Sequence, residues 1–420
     1  MSGLGYIPRI VDDEIRPRLA AFGAVVIGGP KACGKTRTAR EHAASEVLLD
    51  VDQAARAAAA IDPKLLLEGD TPRLIDEWQL EPALWNTVRR AVDDRSLPGQ
   101  FILTGSSNPA DDMTRHTGAA RIARIQMRPM SLVETGHSNG AISLEGLLQG
   151  EVPRSADPGL TLTDVIDRVC VGGWPAFQRL SIEDALVGVR GYLDEISRTD
   201  VTRVDGKRRD PRRVQQLLRS LARNAATEAA ITTIAADTAG PEDVLARDTI
   251  YDYLDALTRL MIVEDQPAWS PHLRSRAQAR TTSTRHFVDP SLAVAALAAS
   301  PSELIRDLSY FGYLFESLVV RDLRIYAQAF DGSVMHYRDN TGLEVDAIVQ
   351  TRGGSWGAFE VKLGGEAHIA SASKSLLTFA QRVDTAKIGP PATLAVVVAT
   401  GYAYQRPEGV AVVPIGALGR

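Results

Sequence analysis

The stretch Ala24-Val-Val-Ile-Gly-Gly29-Pro-Lys-Ala-Cys-Gly-Lys35-Thr36 decides how the rest of this chain is read. A short apolar run leads into a glycine-rich loop, and the helix-forming Thr38-Ala-Arg-Glu-His-Ala43 follows. Strand, loop and helix in that order predict a phosphate-binding loop made of Gly29, Pro30, Lys31, Ala32, Cys33, Gly34, Lys35 and Thr36. The glycines let backbone amides turn inward around the α- and β-phosphates. Lys35 directs positive charge toward the β- and γ-phosphates, and the Thr36 hydroxyl is placed for Mg²⁺. The ligand set implied is ATP with Mg²⁺.

Working outward, apolar runs recur at Val47–Asp50, Arg73–Asp76, Gln100–Thr104 and Ile122–Gln126 with helical stretches between them. That alternation predicts an α/β fold with a parallel sheet. In Arg73-Leu-Ile-Asp76-Glu77 two carboxylates stand at the carboxyl end of a strand. Behind a phosphate loop, Asp76 is expected to hold Mg²⁺ and Glu77 to orient and deprotonate the attacking water. Phe101-Ile-Leu-Thr-Gly-Ser106 ends in small hydroxyl residues, and Ser106 is placed to sense the γ-phosphate or hold that water.

Gly29–Thr36, Leu74–Glu77, Leu103–Ser107, Gly118-Ala-Ala-Arg121 and Arg128–Glu134 together resemble the AAA+ ATPases, in the prokaryotic branch where a compact ATPase module precedes a domain of unknown function. Relatives in that family show Gly-Arg where this chain has Ala120-Arg121. The resemblance implies that Arg121 is an arginine finger or phosphate sensor, acting within the chain or across a subunit boundary; the second case requires a homo-oligomer. A surface arginine paired with Asp111 or Asp112 is the other role open to it.

Beyond the Pro/Gly/Ser-containing stretch 136–159 the strand-like runs give way to helices. Gly172-Gly-Trp-Pro175 reads as a turn, and 184–197 and 211–223 carry apolar spacing near the helical period, with Leu217, Leu218 and Leu221 as a buried stripe. Lys207 and Arg203, Arg208, Arg209, Arg212, Arg213, Arg219 and Arg223 form one basic stretch, and Arg274, Arg276, Arg280 and Arg285 a second. A helix at 228–236, another at 248–260 with Asp248 as its N-cap, and two extended runs predict a winged helix. Such a module reads a DNA groove or docks a protein partner; Asp252 and Asp255 on the reading helix oppose phosphates and keep the second use open.

The last third places Glu316 in a helical run and then two strands, 344–350 and 356–362, joined by the turn Thr351–Ser355. Glu360 and Lys362 share a face by the period of a strand, and Asp346 can face the same way across the hairpin. Asp346 and Glu360 are expected to chelate Mg²⁺ with Glu316 completing the oxygen shell, while Lys362 activates water. This order of residues from 309 to 400 resembles the restriction-endonuclease-like superfamily, in particular archaeal Holliday-junction resolvases. The resemblance implies a nuclease-like α/β domain that binds or cuts DNA.

A chain of 420 residues exceeds one core, and three segments are expected: 1–135 for the ATPase, 160–300 for the helical and winged-helix-like part, and 301–420 for the nuclease-like part. Its 45% hydrophobic and 24% charged residues are ordinary for a globular protein, no run approaches the roughly 18 apolar residues that would span a bilayer, and the net charge of -5 argues against a uniformly basic nucleic-acid coat while leaving room for local patches. Cys33 and Cys170 fit no disulfide or metal pattern, so a reducing, cytoplasmic compartment is expected. The sequence thus reads as an oligomeric Mg²⁺-dependent ATPase acting on DNA, with a nucleotide switch for a protein partner as the alternative.

Overall fold

The computed structural model describes residues 5–107, 117–204, 206–238, 246–270 and 282–420. Where the sequence reading sets three consecutive segments, the contacts group the chain into two compact units. One contains Met1–Pro129, Thr199–Arg209 and Asp255–Ile262; the other contains Met130–Arg198, Asp210–Leu254 and Val263–Arg420.

The amino-terminal unit is built on β1 (Ala24–Gly28), β2 (Ser45–Leu48), β3 (Arg73–Asp76), β4 (Phe101–Gly105) and β5 (Ile122–Gln126). All are parallel, in the order β2-β3-β4-β1-β5. The apolar runs become strands because each central strand is covered on both faces: Ala24, Val25, Ile27, Phe101, Ile102 and Leu103 are buried. Trp78 and Trp85, with ring centroids 5.2 Å apart, fill the core beside the helix Leu84–Arg95. In an open parallel sheet the carboxyl ends of neighbouring strands form the ligand crevice, and here β1, β4 and β3 stand side by side.

In the other unit, the helices Leu162–Val171, Ile182–Glu195 and Pro211–Arg223 form the helical middle. Thr161 closes a capping box with Asp164, and Asp210 caps Pro211–Arg223, which buries Val214, Leu217, Leu218 and Leu221. The expected winged-helix order is present: Ile231–Asp237, Arg247–Arg259, then the antiparallel hairpin of β7 (Val263–Gln266) and β8 (Thr284–Phe287). Asp248 does not cap its helix but sits in the first turn, because Arg247 is already helical; its charge still complements the positive helix end.

Arg209 is buried, Arg223 pairs with Asp237 at 2.8 Å, and Arg285 pairs with Asp265 at 3.0 Å. Arg274, Arg276 and Arg280 lie outside the described residues.

The carboxyl-terminal sheet contains β9 (Ser333–Arg338), β10 (Glu344–Gln350), β11 (Trp356–Lys362), β12 (Thr393–Val398), β13 (Tyr404–Gln405) and β14 (Ala411–Pro414) in the order β13-β14-β12-β11-β10-β9. β9, β10 and β11 are antiparallel, whereas β11, β12 and β14 run parallel. Trp269, Trp356 and Phe379 centre its core against the helix Glu366–Arg382. Ile142–Ser143 (β6) pairs in parallel with Leu418–Gly419 (β15). Arg321 of the helix Leu308–Gln328 is buried between Asp289 and Asp322, at 2.8 and 2.7 Å. No helix among the described residues is long and apolar enough to cross a membrane.

Candidate functional site

The loop Gly29–Thr36 leaves β1 and runs into the helix Lys35–Arg40 at the carboxyl edge of the sheet. Its shape explains its glycines. A Cβ on Gly29 would lie 2.3 Å from the Met127 carbonyl oxygen, so no larger residue fits without displacing the backbone just past β5. Gly34 has φ +105°, in the region that side chains avoid. Buried Arg9 braces the loop from behind, donating to the carbonyls of Cys33 and Arg128, each at 2.9 Å. Lys35 is 5% exposed and donates to the Pro30 carbonyl at 2.8 Å.

The acidic and hydroxyl residues of β3 and β4 interlock beside the loop. Asp76 Oδ1 accepts from Thr36 Oγ1 at 2.9 Å and from Thr104 Oγ1. The Glu77 backbone N–H donates to Thr104 Oγ1 at 3.2 Å, and Glu77 holds φ +53°, strained for a residue with a side chain. Glu77 Oε2 accepts from Ser106 Oγ at 2.9 Å and from Gln79 Nε2. Burial pushes the Asp76 carboxyl above the usual range, reinforced by Glu77 and Asp50, although the Thr104 and Thr36 hydroxyls oppose the shift. A hydroxyl and a buried carboxylate short of positive charge are the donor set that suits Mg²⁺, so Thr36 and Asp76 fit the ion the sequence implies.

These groups border a cavity of about 910 Å³, which Lys31, Lys35, Thr36, Glu77, Ser106 and Arg203 help to line. It lies at the upper end of the range typical of small-molecule sites, large enough for a nucleoside triphosphate. Arg203 and Asp200 reach it from beyond residue 135. Sequence reasoning placed Arg203 in a basic stretch and did not single out Asp200, because no local pattern ties either to the loop. Arg121 is not in the lining: it pairs with Asp93 at 2.7 Å, and its side chain is 42% exposed. Asp111 and Asp112 lie outside the described residues. Ala120, beside Arg121, has φ +63°, a conformation that glycine adopts more readily than a residue with a side chain.

The carboxyl-terminal candidates also converge. Glu316, Asp346 and Lys362 help line a polar cavity of about 390 Å³ with Glu344, His336 and Tyr313. A register shift between Val345 and Ile348 bends β10 at Asp346. Asp346 Oδ2 accepts from the Val361 N–H at 2.7 Å, and Lys362 Nζ lies 2.8 Å from Glu360 and 3.5 Å from Asp346. Burial, then Asp346, pushes the Glu360 carboxyl up to about 8. Burial raises Glu316 well above the ordinary carboxyl range, again with Asp346 contributing.

Among the described residues, no group of three His, Cys, Asp or Glu side chains is placed to hold a metal ion. Lys362 pairs with both Glu360 and Asp346. Glu360 is also 6% exposed and does not reach the cavity lining.

Residues 21–136 match the AAA domain family, residues 162–303 match a domain of unknown function, DUF8612, and residues 311–418 match another, DUF4143. Uncharacterised proteins of Mycobacterium tuberculosis and Mycobacterium bovis are each 25% identical over 381 residues, 90% of this chain and 78% of theirs. A Walker-type ATPase of Pyrococcus abyssi, PABY2304, aligns at 13% identity with a TM-score of 0.41, covering 69% of this chain and 96% of that one. The amino-terminal part of the chain has a P-loop α/β fold built on a parallel sheet and is similar to the AAA domain family.

Proposed function

We propose that this protein hydrolyses ATP in the cavity bordered by Gly29–Thr36, and that turnover serves work on DNA. The hydrogen-bonded run Thr36–Asp76–Thr104–Glu77–Ser106 carries the first part of the reading. Thr36 and Asp76 would hold Mg²⁺, which supplies charge neutralisation to the phosphates when bound. Lys35 provides a positive charge at the loop, and the amides of 30–36 orient the phosphate chain. Glu77, whose Oε2 is held by two side chains, Ser106 and Gln79, orients and deprotonates the attacking water. Glu77→Gln should keep ATP binding and lower turnover by roughly 10²- to 10⁴-fold, the contribution of a general base. Turnover equal to wild type removes Glu77 from the chemistry.

DNA as the partner is supported by the convergence of Glu316, Asp346 and Lys362 on one polar cavity, with Glu360 bonded to Lys362. Displacement of Lys362 from the two carboxylates by a divalent cation and a phosphodiester would turn this cluster into a cleavage or clamping site. Nicking of supercoiled DNA with Mg²⁺ or Mn²⁺, abolished by Lys362→Met or Asp346→Ala while ATP hydrolysis continues, supports cutting. DNA binding without nicking supports clamping, and loss of both on no variant discards the site. Arg121, exposed on Asp93, is available to a neighbouring subunit's nucleotide, which supports a homo-oligomer. An ATPase rate indifferent to linear, forked and four-way DNA favours the alternative, a nucleotide switch that docks a protein.

A further inference from the structure

The nucleotide cavity has a wall that the loop and its strands do not account for. The π-helical turn Ile196–Asp200 leads into Val201–Arg203, and π-turns are frequent at functional sites. Asp200, the last residue of the turn, presents its carboxylate to Lys31 of the phosphate loop, with Oδ1 2.5 Å from Nζ. Asp200 is 3% exposed, and its second oxygen, Oδ2, is buried with no hydrogen-bond partner among the described residues. The segment is fixed in place, since Arg209 donates to the Val201 carbonyl at 2.7 Å and Arg259 to the Val204 carbonyl at 2.8 Å.

A buried carboxylate with one bare oxygen depends on its single counter-charge, so Asp200 depends on Lys31. Lys31 in turn lines the same cavity as Thr36 and Glu77, the residues that mark the terminal-phosphate end of the site. ATP and ADP differ there by one phosphoryl group and its negative charge, which attracts the same ammonium group. We propose that Lys31 reads the terminal phosphoryl group and that Asp200 competes for it, making this pair the device that tells ATP from ADP. With ADP in the loop, Lys31 stays on Asp200. With ATP it is drawn to the terminal phosphate, leaving Asp200 without its counter-charge. Both residues act through position and charge and take no part in bond-making.

The proposal rests on the loop being an ATP site, and the test separates the two. Dissociation constants for ADP and for a non-hydrolysable ATP analogue, each with Mg²⁺, are measured by calorimetry on the full chain. Asp200→Asn should tighten the triphosphate several-fold and leave ADP unchanged. Lys31→Met should weaken the triphosphate roughly tenfold, the worth of a charge-assisted hydrogen bond, again sparing ADP. The double variant should match Lys31→Met alone, because Asp200 acts only through Lys31. Lys31→Met decides the matter if Asp200→Asn folds poorly, since the Lys31 side chain is 42% exposed and supports no core. Equal changes for both nucleotides, or an unchanged preference in Lys31→Met, overturn the proposal. Wild-type affinity for both nucleotides in Lys35→Ala overturns the ATP site itself.

Discussion

Replacing Thr104 by valine removes one hydroxyl and almost no volume, yet that hydroxyl serves two groups, one buried and one half-buried. It donates to the Asp76 carboxylate and accepts the backbone N–H of Glu77. Thr104 is fully buried, so water cannot take over either bond. A hydrogen bond to a charged group contributes about 1.5–3 kcal/mol, and an orphaned N–H costs about 1–3 kcal/mol. Asp76 retains Thr36, so the combined loss is expected at about 2–4 kcal/mol. At about 2–4 °C per kcal/mol for a domain of this size, the melting temperature should fall by several degrees.

The functional effect should exceed the thermal one. Glu77 sits at φ +53°, and its N–H bond to Thr104 is one of the restraints that hold that conformation; without it the carboxylate loses its aim. Thermal melts and initial ATPase rates on Thr104→Val and Thr104→Ser are the assay, the serine restoring the hydroxyl. A valine variant that melts with wild type and turns over at the wild-type rate refutes the reasoning, as does a serine variant no better than valine.

Two further outcomes are expected from the other unit. Arg321→Met leaves Asp289 and Asp322 buried without their shared cation, which should cost about 3–5 kcal/mol in urea unfolding; a loss below about 1 kcal/mol means the triad is not what holds this core together. Asp339 is held down to about 2: burial pushes its carboxyl up, but the Thr341 hydroxyl, the Thr341 and Leu343 N–H groups and Arg382 outweigh it. A depressed carboxyl stabilises the fold above its unfolded value and loses that contribution as pH falls toward 2, so Asp339→Asn should be less stable than wild type at neutral pH, with the gap closing on acidification. A gap independent of pH shows that the lost contacts and not the charge matter.

The parts of this protein that were legible in its sequence are those whose physics is local. Each apolar run between 24 and 126 became a strand, and the central ones, β3, β4 and β1, carry apolar residues on both faces because both are covered. Glu360 and Lys362 fell on one face by strand periodicity, and the short hairpin turn brought Asp346 to them. What local pattern cannot state is how charges settle once neighbours arrive. Lys362 bonds to Glu360 and lies beside Asp346 where a metal ion was expected, and Arg121 rests on Asp93, not at the nucleotide cavity. Thr104 read as one hydroxyl among several, although its two bonds couple Asp76 to Glu77. Asp200 gave no signal and Arg203 read only as part of a basic stretch, since only the folded chain groups Thr199–Arg209 with the amino-terminal unit.

The central claim, that the loop Gly29–Thr36 is the seat of a triphosphate, is tested most directly by titrating Mg²⁺-ATP into wild type and Lys35→Ala and following the heat of binding. Saturable one-site binding in wild type, lost on removal of the Lys35 ammonium, is the result the structure predicts. Equal binding by both proteins, or none by wild type, contradicts it.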